Sequence, residues 1–124
     1  MRVVCVDDHP IMLQGLVKKI QQSLPDADVC GFNRAEDALS FARDNGCEVL
    51  ISEIELSGID GLTLAQKIKT LYPTVNIIFH TVCDEKEYAR EVLKIKPSGY
   101  LVKPANKEQL DFELHNLRYS VCAV

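Results

Sequence analysis

"VLISEIELSGIDGL" (residues 49–62) runs from a short apolar stretch into a carboxylate, Glu53, and then through a glycine-containing loop into an apolar helix start. The residues "EVLIS" (48–52) are almost continuously apolar, as expected of a strand covered on both faces. A sheet with both faces covered needs helices between its strands, so the flanking sequence must alternate strand with helix.

It does. "RVVCV" (2–6) is too short for a core helix and rich in valine, so it reads as a strand. "IMLQGLVKKIQQSL" (11–24) places Ile11, Leu13, Leu16, Val17, Ile20 and Leu24 at mostly helical spacing. Pro10 suits its first turn, where a missing N–H costs nothing. "ADVCGF" (27–32) reads as a second strand. Asn33 with Glu36 resembles a capping box, opening a helix that runs to about Asn45-Gly46. After the third strand a helix is expected over 62–71, with Leu62, Leu64, Ala65, Ile68 and Leu71 inward. "NIIFH" (76–80) is a fourth strand. Residues 84–95 form a polar helix with Tyr88, Val92, Leu93 and Ile95 as its apolar positions. "YLV" (100–102) is a fifth strand, and a last helix begins near Asn106 and carries Leu110, Leu114 and Leu117. Five β-then-α repeats imply an α/β domain with a parallel sheet and right-handed crossovers.

The 124 residues suit one domain, and 47 % hydrophobic residues supply its core. The net charge of −4, with Lys18-Lys19 as the one adjacent basic pair, argues against nucleic-acid binding by this domain. Five cysteines (Cys5, Cys30, Cys47, Cys83 and Cys122) are odd in number and contain no C-x-x-C. They point to a reducing compartment rather than to disulfides or zinc. No apolar run approaches the ~18 residues of a membrane span. A cytoplasmic setting is expected, with residues 1–118 as the domain and 119–124 as a tail or the start of a linker.

An open parallel sheet binds ligands beyond the C-terminal ends of its strands, where the strand order reverses. Asp7 and Asp8 follow the first strand, Glu53 the third, His80 and Thr81 the fourth, and Lys103 the fifth. In the order 2-1-3-4-5 the first and third strands are neighbours, which gathers Asp7, Asp8 and Glu53. Three such carboxylates need a proton or a cation. Mg²⁺, a hard cation held by carboxylates and waters, suits them best, with Lys103 offsetting the remaining charge.

"VCVDDHP" (4–10), "VLISEIELSGIDGL" (49–62), "IIFHT" (77–81) and "SGYLVKP" (98–104) together resemble the receiver domain of two-component response regulators, over essentially the whole chain. The resemblance implies a flavodoxin-like (βα)5 fold. It implies that Asp7 and Asp8 hold Mg²⁺, Asp8 more directly, with the backbone carbonyl of Glu55 as a further ligand beside Glu53. Thr81 matches the hydroxyl that hydrogen-bonds the phosphoryl group, Lys103 the lysine that pairs with it, and Tyr100 the aromatic switch. The Lys103-Pro104 bond is often cis in that family. The implied partners are a histidine kinase or phosphotransfer protein. An output domain or partner protein is expected on the face of the fourth helix, fifth strand and fifth helix (Tyr88, Tyr100, Lys107, Asp111–Arg118), and a homodimer is compatible with it. "DDHP" is similar to regulators that carry a C-terminal helix-turn-helix domain, so DNA binding would lie outside these residues.

The departure is at the centre. The phosphoacceptor position, seven residues before Asp60, holds Glu53 rather than aspartate, and Ser57 stands where the family usually has proline. One extra methylene moves the carboxylate by ~1 Å, and a misplacement of that size can cost about a hundredfold in rate. Poor phosphorylation is expected. The longer side chain also carries charge toward Lys103 and Thr81, as a partial mimic of an acyl phosphate. Two other readings stand beside this one: phosphorylation on Glu53 with Mg²⁺, and a small flavin- or nucleotide-binding enzyme of the same fold, which "DDHP" disfavours by repelling phosphate. His9 reads as structural at its helix start, His80 and His115 as surface residues, and Ser52 as a packed hydroxyl.

Overall fold

A computed structural model describes residues 1–84 and 86–119. The strands are β1 (Arg2–Val6), β2 (Asp28–Phe32), β3 (Val49–Ser52), β4 (Asn76–Thr81) and β5 (Gly99–Val102). The helices are α1 (Pro10–Ser23), α2 (Ala35–Asn45), α3 (Gly61–Leu71), α4 (Ala89–Ile95) and α5 (Lys107–Leu114). All pairings are parallel and the sheet order is β2-β1-β3-β4-β5, the flavodoxin-like arrangement expected from the alternation.

Side-chain alternation along each strand splits the core into two layers. Val4, Val6, Leu50, Ile77 and Phe79 pack with α2 and α3, joined by Ile95 of α4. Val3, Cys5, Val49, Ile51, Ile78 and Leu101 pack with α1 and α5. Central strands buried on both sides explain why "VLIS" shows no polar alternation: all four residues are buried.

Several local expectations change. Asn33 and Glu36 do not form a capping box. The N-cap of α2 is Arg34, without a side-chain cap; Asn33 Nδ2 instead donates to the Asp7 carbonyl, and Glu36 accepts from the Ile59 N–H. True caps are Asp60, which accepts from Thr63 N–H, and Asn106, which forms a reciprocal box with Gln109. Helix α4 starts five residues late. Asp84 turns the chain locally, its carboxylate accepting from Lys86 N–H and its carbonyl from Glu87 N–H, and such Asx-type bonding competes with helix. Three residues taken as inward point out: Ile11 is 85 % exposed, Leu93 73 % and Leu71 40 %. Each lies on the solvent side of its helix or in the last turn, where spacing alone misplaces a residue. Helix α5 stops at Leu114, yet Leu117 still packs on the α1 and α5 layer. Cys122 and most of the expected tail lie outside the described residues.

Candidate functional site

Register brings the site together. Val6 pairs with Ser52 across β1 and β3, so the next residues, Asp7 and Glu53, leave the sheet side by side. Each is anchored by its own backbone: Asp7 N–H donates to the Phe32 carbonyl at 3.1 Å, and Glu53 N–H to the Val6 carbonyl at 3.0 Å. Lys103 N–H donates to the Thr81 carbonyl at 2.8 Å, which fixes the start of the lysine side chain one residue past β5. The following Lys103-Pro104 peptide is cis. Gly61 closes the floor: its N–H donates to the Ile54 carbonyl, and a Cβ there would run into the Glu53 carbonyl.

The Lys103 ammonium lies between two carboxylates, 2.6 Å from Asp7 Oδ2 and 2.7 Å from Glu53 Oε2. All three side chains are almost fully buried: Lys103 is 4 % exposed, Asp7 1 % and Glu53 3 %. Burial alone would push Lys103 down. Its hydrogen bonds to Asp7 and Glu53, and their charges, outweigh burial and raise it. Burial likewise pushes the Asp7 carboxyl up, but hydrogen bonds from Lys103 and the His9 N–H, with the Lys103 charge, hold it below the usual range. Lys103 and Asp7 thus favour their charged forms against burial because each is paired, the condition under which buried ions are tolerated.

Glu53 does not reach into open space. Its second oxygen, Oε1, accepts from the N–H of the next residue, Ile54, at 2.8 Å. With Oε2 on Lys103, both carboxylate oxygens are engaged. The side chain is long enough to fold back onto its own backbone, which sequence could not show.

Asp8 is the open acid. Its Oδ1, 3.2 Å from His9 Nδ1, is buried and makes no hydrogen bond among the described residues. Asp7, by contrast, spends Oδ1 on His9 N–H and Oδ2 on Lys103. Asp7, Asp8 and His9 present ligand atoms within 4.8 Å of one another. An orphaned carboxylate oxygen beside a second carboxylate fits a hard divalent cation. His9 does more than start α1: its ring approaches both acids, Nδ1 lying 3.1 Å from Asp7 Oδ1.

Thr81 is fully buried, and its Oγ1 accepts from Cys83 N–H at 3.1 Å. The expected approach of Glu53 to Lys103 is present; among the described contacts Thr81 instead serves its own loop. Tyr100 packs on Phe79 and donates its hydroxyl to the Cys83 carbonyl at 2.9 Å, so it holds the same loop. Glu55 accepts from the Tyr88 hydroxyl at 3.0 Å, a bond that raises the phenol to about 12, with burial adding to it. This links the loops after β3 and β4, a contact with no sequence signal.

His80 is not a surface residue. It is 4 % exposed and, among the described residues, its Nδ1 has no hydrogen-bond partner. Burial, then the charge of Lys103, pushes the imidazole down to about 4. The period-2 alternation carried the signal, since His80 shares the face of Ile78, which packs in the α1 and α5 layer. Ser52 is a packed hydroxyl, as read, donating to the Glu53 carbonyl.

Comparison with known proteins gives a consistent answer. Residues 3–115 match the family model described as response regulator receiver domain. The response regulator GacA of Pseudomonas aeruginosa is 28 % identical over 114 residues, covering 88 % of this chain and 51 % of that protein. The response regulator UvrY of Escherichia coli is 30 % identical, covering 87 % of this chain and 50 % of that protein. The chain thus spans about half the length of these curated relatives. Among solved structures, the chemotaxis protein CheY4 of Vibrio cholerae superposes with a TM-score of 0.83 at 24 % identity, covering 92 % of this chain and 95 % of that one. A receiver domain from Clostridium thermocellum superposes at 0.83 with 20 % identity, covering 93 % and 91 %. These likenesses establish the fold.

Proposed function

The chain belongs to the family of response regulator receiver domains, and from that premise we propose that it is an interaction module of two-component signalling whose acceptor-position carboxylate is held rather than offered. The observation that carries this reading is the engagement of both Glu53 oxygens, one by Lys103 and one by Ile54 N–H, on a side chain 3 % exposed. In-line attack on a phosphodonor needs a free oxygen aligned near van der Waals contact. Glu53 would have to leave the lysine that neutralises it before it could attack.

The bias of the resting state follows from the same contacts. A phosphoryl group in this family is matched by both the lysine and the hydroxyl. Here Glu53 takes the lysine while Thr81 accepts from Cys83 N–H, so the module rests between the two signalling states. Lys103 orients and neutralises, Thr81 and Tyr100 hold the loop after β4, and Asp8 with Asp7 and the Glu55 carbonyl would hold Mg²⁺. That ion, when bound, would neutralise an incoming phosphoryl group. The relatives are named as response regulators, and this chain would serve the same kind of control. It would work in the cytoplasm and couple a histidine kinase or phosphotransfer protein to an output domain or partner on the α4, β5 and α5 face. Residues 1–118 would form the receiver and 119–124 lead toward that output, with a homodimer compatible with the face.

Incubation with acetyl phosphate and Mg²⁺, followed by intact-mass measurement, tests the reading. The Glu53→Asp variant gains a phosphoryl mass increment, and the parent chain does not. Labelling of the parent at a rate within about tenfold of the variant overturns the reading in favour of a phosphorylatable Glu53.

A further inference from the structure

Asn76 opens β4 and is 1 % exposed, although asparagine is disfavoured in strands and a buried amide must find partners for its N–H donors and its oxygen. It finds them on the chain that leaves α5. Its Nδ2 donates to the Tyr119 carbonyl at 2.9 Å, and its Oδ1 accepts from the Tyr119 N–H at 2.7 Å. The side-chain amide thus takes both main-chain groups of one residue, as the opposing residue of an antiparallel strand does. Ser98, which directly precedes β5, extends the contact. Its hydroxyl donates to Asn76 Oδ1 at 2.8 Å and accepts from the Arg118 N–H at 3.1 Å. Both anchors are themselves fixed by the sheet: Asn76 N–H donates to the Glu48 carbonyl at 2.9 Å, and Ser98 N–H to the Ile77 carbonyl at 2.7 Å.

The place of these two residues matters as much as their bonds. Asn76 starts the strand that ends in Thr81. Ser98 leads into the strand that carries Tyr100 and runs out to Lys103. Five strand steps of ~3.3 Å set the start of β4 about 17 Å from its Thr81 end, at the opposite pole of the sheet. The segment held there is not part of α5, which stops at Leu114. Asn76 and Ser98 grip it by main-chain groups, and Leu117 adds partly buried apolar packing against the α1 and α5 layer. A segment held so lightly opens at a lower cost than a core strand does.

We infer that Asn76 and Ser98 form a main-chain latch for the segment that leaves α5. The latch fixes Arg118 and Tyr119 to the starts of β4 and β5. Residues after Tyr119 therefore depart from the pole opposite the charged cluster, tied to the two strands that carry Thr81, Tyr100 and Lys103. Because the latch reads N–H and C=O groups, it holds the segment whatever side chain stands at position 119. The inference does not depend on whether Glu53 accepts phosphate.

The test uses the full chain, ¹⁵N-labelled, with backbone order parameters and amide exchange read residue by residue. In the parent, Tyr119 matches β4, with an order parameter of about 0.85. In Asn76→Ala it falls below about 0.6, and exchange of the Tyr119 amide speeds up at least about tenfold. The amides of Ile78 in β4 and Leu110 in α5 keep their parent values. Ser98→Ala, outside the strand, loosens Arg118 more than Tyr119, and it decides the matter if Asn76→Ala does not fold. Tyr119→Ala leaves the latch closed, which a role in side-chain packing would not allow. Unchanged order at Arg118 and Tyr119 in the Asn76 and Ser98 variants overturns the inference. So does loosening that spreads through β4 and α5, which assigns Asn76 to the stability of the core. Loss of order at position 119 in Tyr119→Ala overturns it as well, since the ring and not the main chain would then hold the segment.

Discussion

Lys103 and His80 stand at the ends of neighbouring strands, both nitrogen bases, both almost fully buried, and the fold treats them in opposite ways. Lys103 keeps its charge because Asp7 Oδ2 and Glu53 Oε2 lie within 2.7 Å of its ammonium. His80 is pushed toward its neutral form by burial and then by the charge of Lys103, and among the described residues its Nδ1 has no hydrogen-bond partner. The lesson is that burial does not by itself decide protonation. Lys103 is also penalised by desolvation and is carried past it by two carboxylates. The face of the strand on which a side chain emerges decides whether such partners exist.

Removing the ammonium breaks the comparison most severely. Lys103→Met leaves two carboxylates buried side by side without a counter-charge, and loss of one partner from a buried ionic cluster costs about 3–5 kcal/mol. Urea unfolding at pH 7 measures it. A cost below about 1 kcal/mol would mean that the lysine neutralises little. Adding Glu53→Gln to Lys103→Met recovers part of the loss, because one of the stranded charges goes with it.

The other half of the comparison is sharpened by pH. The folded imidazole of His80 is pushed from 6.5 down to about 4, with Lys103, Asp7, Glu53 and Lys19 the charged groups that act on it. Between these values the unfolded chain takes up a proton that the folded chain refuses. The contribution of this group is complete above pH 6.5 and is lost as pH falls toward 4, by roughly 3 kcal/mol in all. His80→Leu removes that slope from urea-unfolding free energies measured between pH 7 and 4. An unchanged slope would place the titration elsewhere.

The smallest effect concerns how the loops are held. Asp60→Ala removes the side-chain cap of α3 and costs about 1 kcal/mol. Asn33→Ala costs less, since Asn33 caps no helix and makes one long bond of 3.4 Å to the Asp7 carbonyl. Thermal unfolding of the two variants side by side checks the order.

Much of this architecture was legible in the residues. The near-continuous apolar run at 49–52 and the β-then-α alternation point to a covered parallel sheet, because helices between the strands bury such strands on both faces. The rule for strand ends then brings Asp7, Asp8, Glu53, Thr81 and Lys103 to one edge. The positions of the motifs point to the family that the comparisons show. Local polar bonding was less legible. Asp84 delayed α4 by accepting from the Lys86 N–H, and Asn33 does not cap α2 but reaches across to the Asp7 carbonyl.

Tertiary structure alone decided what Glu53 does with its extra methylene. Its length admits several conformers, and only the placed Lys103 ammonium and the Ile54 N–H select the folded-back one. The same holds for His80. Alternation gave its face, but whether that face met solvent, a carboxylate or an apolar pocket depended on how α1 and α5 pack over it. A sequence specifies which side of a strand a group leaves from; the partners it meets there belong to distant segments, and their distances exist only once the chain has folded.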